Sequence, residues 1–180
     1  MERSRLTGLS KKMSLALRHD PGTFGLTLEE GGWVEVPSFL EALGLERDVF
    51  DTIVATSDKQ RFAVRAGPDG VERVRANQGH SVAVDLGLEP ATPPGTLFHG
   101  TGAAVLPAIR AEGLIRGRRH HVHLSPDRET ARRVGARRPG TVALLEIDAA
   151  GMARDGHTFY RSANDVWLTD AVPPAYLREA

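Results

Sequence analysis

Along the first 75 residues the apolar positions switch between helical and strand spacing. Met13, Ala16 and Leu17 fall at i, i+3 and i+4, which predicts a helix capped by Ser10 and ended by Pro21, with Arg18 and His19 at its C-terminus. Trp33 to Val36 reads as a short strand. Pro37 then opens a helix that carries Phe39, Leu40 and Leu43 and closes at Gly44, and a third helix centres on Val49, Ile53 and Val54. Residues 61–65 and 71–75 alternate polar with apolar around Gly67-Pro68-Asp69-Gly70, the pattern of a hairpin. Helices followed by a two-stranded ribbon outline a winged-helix-like lobe over residues 1–88, a scaffold that by itself proves no function.

Pro90, Pro93 and Pro94 break the pattern, because so many prolines can continue neither a helix nor a central strand; residues 89–95 are therefore expected to be a linker. Beyond it the pattern predicts a strand at Thr96–His99, a helix from Ala103 to Glu112 closed by Gly113, and a strand at Val122–Leu124. A helix with Ser125 as N-cap, Pro126 at N1 and Ala131 and Val134 inward comes next, then an apolar strand at Val142–Ile147 and a last one at Asp165–Leu168. The fold class is thus α+β, with a second lobe over 96–180. No strand leads through Gly-x-Gly-x-x-Gly into a helix, so a dinucleotide would have to be held in some other way.

Charge changes this picture more than composition does. The chain is neutral overall, with 23 Lys and Arg against 23 Asp and Glu, yet residues 1–90 carry 11 against 14 and residues 91–180 carry 12 against 9. Nine of those twelve are arginines between Arg110 and Arg138. Clustered guanidinium groups suit phosphate, whose oxygens match their planar fork; a solvated helix face is the other reading. Absence of cysteine excludes disulfides, a thiol nucleophile and thiolate-bound zinc. There is no stretch of about 18 consecutive apolar residues and no apolar run behind Met1-Glu2-Arg3, so the expectation is a cytoplasmic protein without membrane contact.

Two segments carry candidate chemistry. In Leu97-Phe98-His99-Gly100-Thr101 a histidine ends an apolar strand beside a glycine and a hydroxyl. That combination can hold a ribose and admit a flat ring against the backbone, and His121-Val122-His123-Leu124-Ser125 would form the other wall. Three histidines without a fourth ligand make a poor zinc site, and no metal is expected.

These segments also carry a family resemblance that covers nearly the whole chain. Residues 9–19, Gly32-Trp33-Val34, residues 58–62, Arg75-Ala76-Asn77-Gln78-Gly79-His80-Ser81, 97–101, 121–125, Val134-Gly135-Ala136-Arg137 and 164–168 occur in the order seen in RNA 2′-phosphotransferases, and the sequence resembles that family. The resemblance implies a winged-helix-like N-terminal lobe and an ADP-ribosyltransferase-like C-terminal lobe. It further implies NAD as co-substrate, an RNA carrying a 2′-phosphate as partner and a role of the tRNA-splicing type; the chain is expected to act as a monomer.

Carried over by position, the catalytic set is Arg18, His19, Arg75 and Arg137. His99, Gly100, Thr101, His123, Ser125 and Val166 fall on the NAD side, and Lys59, Arg61, Gln78, His80, Ser81 and Arg138 on the RNA or its phosphate. Where the family has histidine and then glycine after the last arginine, this chain reads Arg137-Arg138-Pro139-Gly140, so Arg138 rivals Arg137. Arg18 and His19 also suit plain capping of helix carbonyls, and Lys59 and Arg61 a solvated ribbon. Asp165 stands where the family has glycine. Two other outcomes stay open: ADP-ribosylation of a nucleic-acid end or a protein that stops after one step, and an inactive RNA-binding module.

Overall fold

The computed structural model describes residues 3–57, 60–137 and 139–180, so Lys59 and Arg138 lie outside the described residues. The described chain divides into two compact units, Met1–Gly87 and Leu88–Ala180.

In the first unit, helix α1 (Arg3–Arg18) starts seven residues before the expected cap. Leu6 and Leu9 extend the apolar face of Met13, Ala16 and Leu17 by two turns, so Ser10 lies inside the helix. β1 (Val34–Glu35), α2 (Val36–Leu43) and α3 (Arg47–Ala55) follow, and Gly44 ends α2 in the left-handed region at φ 59°. The hairpin of β2 (Phe62–Ala66) and β3 (Glu72–Ala76) takes β1 as a third antiparallel strand, in the order β1-β3-β2. Phe62, Val74 and Ala76 point into a core with Met13, Leu17, Phe39, Phe50 and Ile53. The alternate residues face outward, where Arg73 is ringed by Glu29, Glu35 and Asp69 at 3.0, 3.2 and 2.8 Å.

The second unit opens with β4 (Thr96–Gly102), followed by a 3-10 turn (Ala103–Val105) and α4 (Leu106–Glu112). β5 (Leu114–Ile115), β6 (Val122–Leu124), α5 (Arg128–Gly135) and β7 (Val142–Asp148) come next. A short helix, α6 (Ala149–Arg154), and β8 (Phe159–Arg161), β9 (Trp167–Thr169), β10 (Ala171–Val172) and β11 (Leu177–Glu179) complete the chain. The strands form antiparallel sheets β11-β7-β4 and β6-β9-β8 and a β10-β5 pair; a Phe98–Ser125 bridge ties β4 to the residue after β6.

Three expectations are corrected. Asp127, not Ser125, caps α5 by accepting from the Thr130 amide at 2.7 Å, because Ser125 is engaged in the bridge to Phe98. Val134 is exposed, and Ala131 and Gly135 are the buried positions of that helix. The last predicted strand begins at Trp167 rather than Asp165, since Asp165 adopts φ 60°. Among the described residues no helix is long and apolar enough to cross a membrane.

Candidate functional site

In the first unit the end of α1 meets the loop after β3. Two successive amides, those of Ser81 and Val82, donate to the Arg18 carbonyl at 2.9 and 3.3 Å, which satisfies a helix-end acceptor and pins the loop there. His19 Nδ1 and Ser81 Oγ are 2.9 Å apart. Arg18 Nη2 donates to the Arg61 carbonyl at 3.4 Å, and a Cβ on Gly79 (φ +89°) would lie 3.6 Å from the Arg18 guanidinium. Arg18, His19, Arg61 and Ser81 are thereby gathered at one end of α1.

Asn77 fixes the other side of this cluster. Its backbone amide donates to the Arg61 carbonyl at 2.9 Å and its side-chain amide to the Gln60 carbonyl at 2.6 Å, holding Gln60 at φ 40°. In the sequence, Asn77 is marked only as a polar residue directly after a strand, followed by Gln78 and Gly79.

Arg75 makes a different set of contacts. Val74 and Ala76 face the helices, so strand alternation turns Arg75 to the outer face. There Nη1 donates to the Gly31 and Leu86 carbonyls at 3.2 and 3.4 Å, and the guanidinium lies 4.7 Å from the Trp33 ring, which Arg65 approaches at 4.1 Å. Burial, and then the nearby Arg65 charge, lower its pKa. His80, expected to reach RNA, is only 1% exposed, and its ring sits 3.5 Å from where a Gly32 Cβ would be. Gln78 is half-buried in the same loop.

In the second unit the predicted residues fall on adjacent strands. His99 Nδ1 lies 3.0 Å from the His123 carbonyl, and the His123 Nδ1 is 3.4 Å from Arg119 Nη1. Register Leu124↔Trp167, carried one residue on, sets Ser125 opposite Val166, whose amide and carbonyl both bond to Ser162 Oγ. His99, His123, Ser125 and Val166 therefore occupy neighbouring positions along β4, β6 and the residues flanking β6 and β9, with Thr101 buried further along β4. Gly100 serves packing: a Cβ there would meet the Ala131 carbonyl oxygen of α5 at 1.8 Å. Asp165 turns its carboxylate to Arg161 at 2.8 Å. His121 packs on Tyr160, with ring centroids 5.3 Å apart, and burial lowers its pKa. Arg137 is exposed just beyond α5. Among the described residues no three His, Cys, Asp or Glu side chains are grouped as a metal site.

Comparison with known proteins gives this geometry a context. A family model described as "RNA 2'-phosphotransferase, Tpt1 / KptA family" matches residues 4–171. A protein of Streptomyces griseus named "Probable RNA 2'-phosphotransferase" is 55% identical over 98% of both chains. A protein of the same name from Streptomyces coelicolor is 55% identical over 99% of this chain and 97% of its own, and one from Pseudomonas aeruginosa is 46% identical over all of both.

Proposed function

Because the chain belongs to the RNA 2′-phosphotransferase (Tpt1/KptA) family, we propose that it removes a 2′-phosphate from RNA with NAD as co-substrate. Two steps account for the chemistry. An oxygen of the 2′-phosphate attacks C1″ of the nicotinamide ribose, the C1″–N bond breaks and nicotinamide leaves. The 2″-hydroxyl then attacks phosphorus; the bond from phosphorus to the RNA 2′-oxygen breaks, that oxygen takes up a proton, and ADP-ribose 1″,2″-cyclic phosphate departs.

The observation that carries the reading is the adjacency of His99, His123, Ser125 and Val166, which brings two imidazoles, a hydroxyl and an apolar side chain to neighbouring strand positions. Those groups suit a ribose and the flat nicotinamide ring. It supports an ADP-ribosyltransferase-like second lobe, as the three helices and three-stranded sheet support a winged-helix-like first lobe.

On the RNA side, a phosphate monoester carries about −1.5 to −2 charges near neutral pH. Arg18 and His19, with Arg61 beside them, supply the donors that hold it, and Arg137 adds a further guanidinium in the second step. Arg75, whose guanidinium donates to the carbonyls of Gly31 and Leu86, completes the proposed catalytic set.

Incubation with NAD and an oligoribonucleotide bearing one internal 2′-phosphate tests the proposal, with products resolved by mass. Free nicotinamide, 2′-hydroxyl RNA and the cyclic phosphate are expected. An RNA-phospho-ADP-ribose adduct that persists would leave only the first step standing, and no nicotinamide release would end the enzymatic reading. Arg18→Ala and Arg137→Ala should each slow the second step by about 10²- to 10³-fold and let the adduct accumulate, because charge spreads over the phosphorus oxygens in that step.

A further inference from the structure

Beside the Arg18 cluster a groove of about 530 Å³ runs along α1. Its floor is Leu6 and Ile53, and its rim is built from Thr7, Ser10, Lys11 and Ser14 of the helix, facing Ser57 and Arg61. Residues 7, 10, 11 and 14 recur at i, i+3, i+4 and i+7, so they share one helix face, and Arg18 lies one turn beyond Ser14 on that face. Groove and cluster share Arg61, which lines the first and whose carbonyl accepts from Arg18 in the second.

The two neighbouring lysines of α1 differ in a telling way. Lys12 donates to the Leu43 carbonyl at 2.8 Å and lies over the Phe24 ring, tying α1 to the core. Lys11 is exposed on the groove side. Two cations and five hydroxyls, Thr56 among them, match the alternating phosphates and riboses of a nucleic-acid strand, and among the described residues the lining has no aromatic ring on which a base could stack.

We propose that this groove carries the sugar–phosphate backbone of the RNA strand flanking the 2′-phosphorylated residue, with Lys11 on a backbone phosphate and the hydroxyls on riboses. The proposal rests on the RNA 2′-phosphate reading and extends it to a substrate class: a strand of several nucleotides, bound without regard to sequence. From Lys11 to Arg18 is seven residues, about 10 Å along the helix axis, so the phosphate held by Lys11 belongs to a flanking nucleotide rather than to the reacting group.

The test uses the full chain and a fluorescent single-stranded oligoribonucleotide, with and without one 2′-phosphate, titrated by anisotropy without NAD over a series of KCl concentrations. Lys11→Ala should weaken binding about three- to tenfold at low salt and reduce the slope of log affinity against log salt by about 0.7, the contribution of one single-strand phosphate contact. Ser14→Glu, which sets a carboxylate in the groove, should weaken binding further. Both sites are on the helix surface facing the groove, and an unchanged thermal midpoint verifies the fold. The gain in kcat/KM from a dinucleotide to a hexanucleotide substrate should also collapse in Lys11→Ala. An unaltered salt slope, or a loss equal for short and long substrates, would overturn the groove while leaving 2′-phosphate removal standing. Lys11-dependent binding of RNA by a protein that releases no nicotinamide would do the reverse, and preference for a duplex or a peptide over the single strand also refutes it.

Discussion

Asn77 is where one side chain holds a functional arrangement in place. It is 5% exposed, its side-chain and backbone amides occupy the Gln60 and Arg61 carbonyls, and among the described residues its buried Oδ1 has no hydrogen bond. Asn77→Ala would leave the Gln60 carbonyl without its donor and let a residue at φ 40° relax, at a cost of about 1–3 kcal/mol. Urea denaturation should show that loss, and kcat should fall at least tenfold as Arg61 drifts; a Gln substitution that restores the donor should recover kcat before stability. The grouping of Arg18 with His19 was legible because a helix face and Pro21 fix where that helix ends. Arg75 was partly legible: the alternation of Val74 and Ala76 with Arg73 and Arg75 assigns it to the outer face, but nothing local says that Trp33 and two loop carbonyls wait there. His80 was not legible, because a buried imidazole in an aperiodic stretch looks the same in sequence as an exposed one.

Among the elements, the contact of α5 with β4 is the tightest constraint on the proposed dinucleotide site. Gly100 and Gly135 let helix and strand backbones touch: a Cβ on Gly100 would meet the Ala131 carbonyl oxygen at 1.8 Å, and one on Gly135 would lie 2.9 Å from the Thr101 nitrogen. Gly100→Ala should destabilise the protein by about 3 kcal/mol, at the upper end of overpacking costs because backbone rather than a side chain must yield. KM for NAD should rise with it, since His99 and Thr101 flank the displaced residue. Asp127→Ala should cost about 1 kcal/mol through loss of the α5 cap, read as a lowered thermal midpoint with kcat retained. The hairpin was legible from period-2 alternation and β7 from its apolar run. Strands β5, β8, β10 and β11 are two or three residues long, too short for any period to register, and exist because the sheets pair them.

For the whole molecule, pH and salt are the informative variables. His121 has its pKa lowered from 6.5, mainly by burial and against the opposing Asp170 charge, with His120 and Arg116 adding to the shift. A lowered histidine pKa means that the unfolded chain takes up a proton before the folded one does. Stability is therefore full above about pH 6.5 and is lost as pH falls from there through the folded value. Thermal midpoints between pH 7.5 and 5 should show that decline, and His121→Phe should flatten part of it; an identical profile would exclude His121 as a contributor. In the first unit the carboxylates of Glu29, Glu35 and Asp69 close around Arg73 on the outer side of the ribbon, while Lys11 and Arg61 stand along α1 on the helical side. Lys11 and Arg61 thus set positive charge along that side of the unit, and a polyanion drifting toward it is turned before it arrives. Added electrolyte should then slow the encounter, measured by stopped flow, more than it hastens departure.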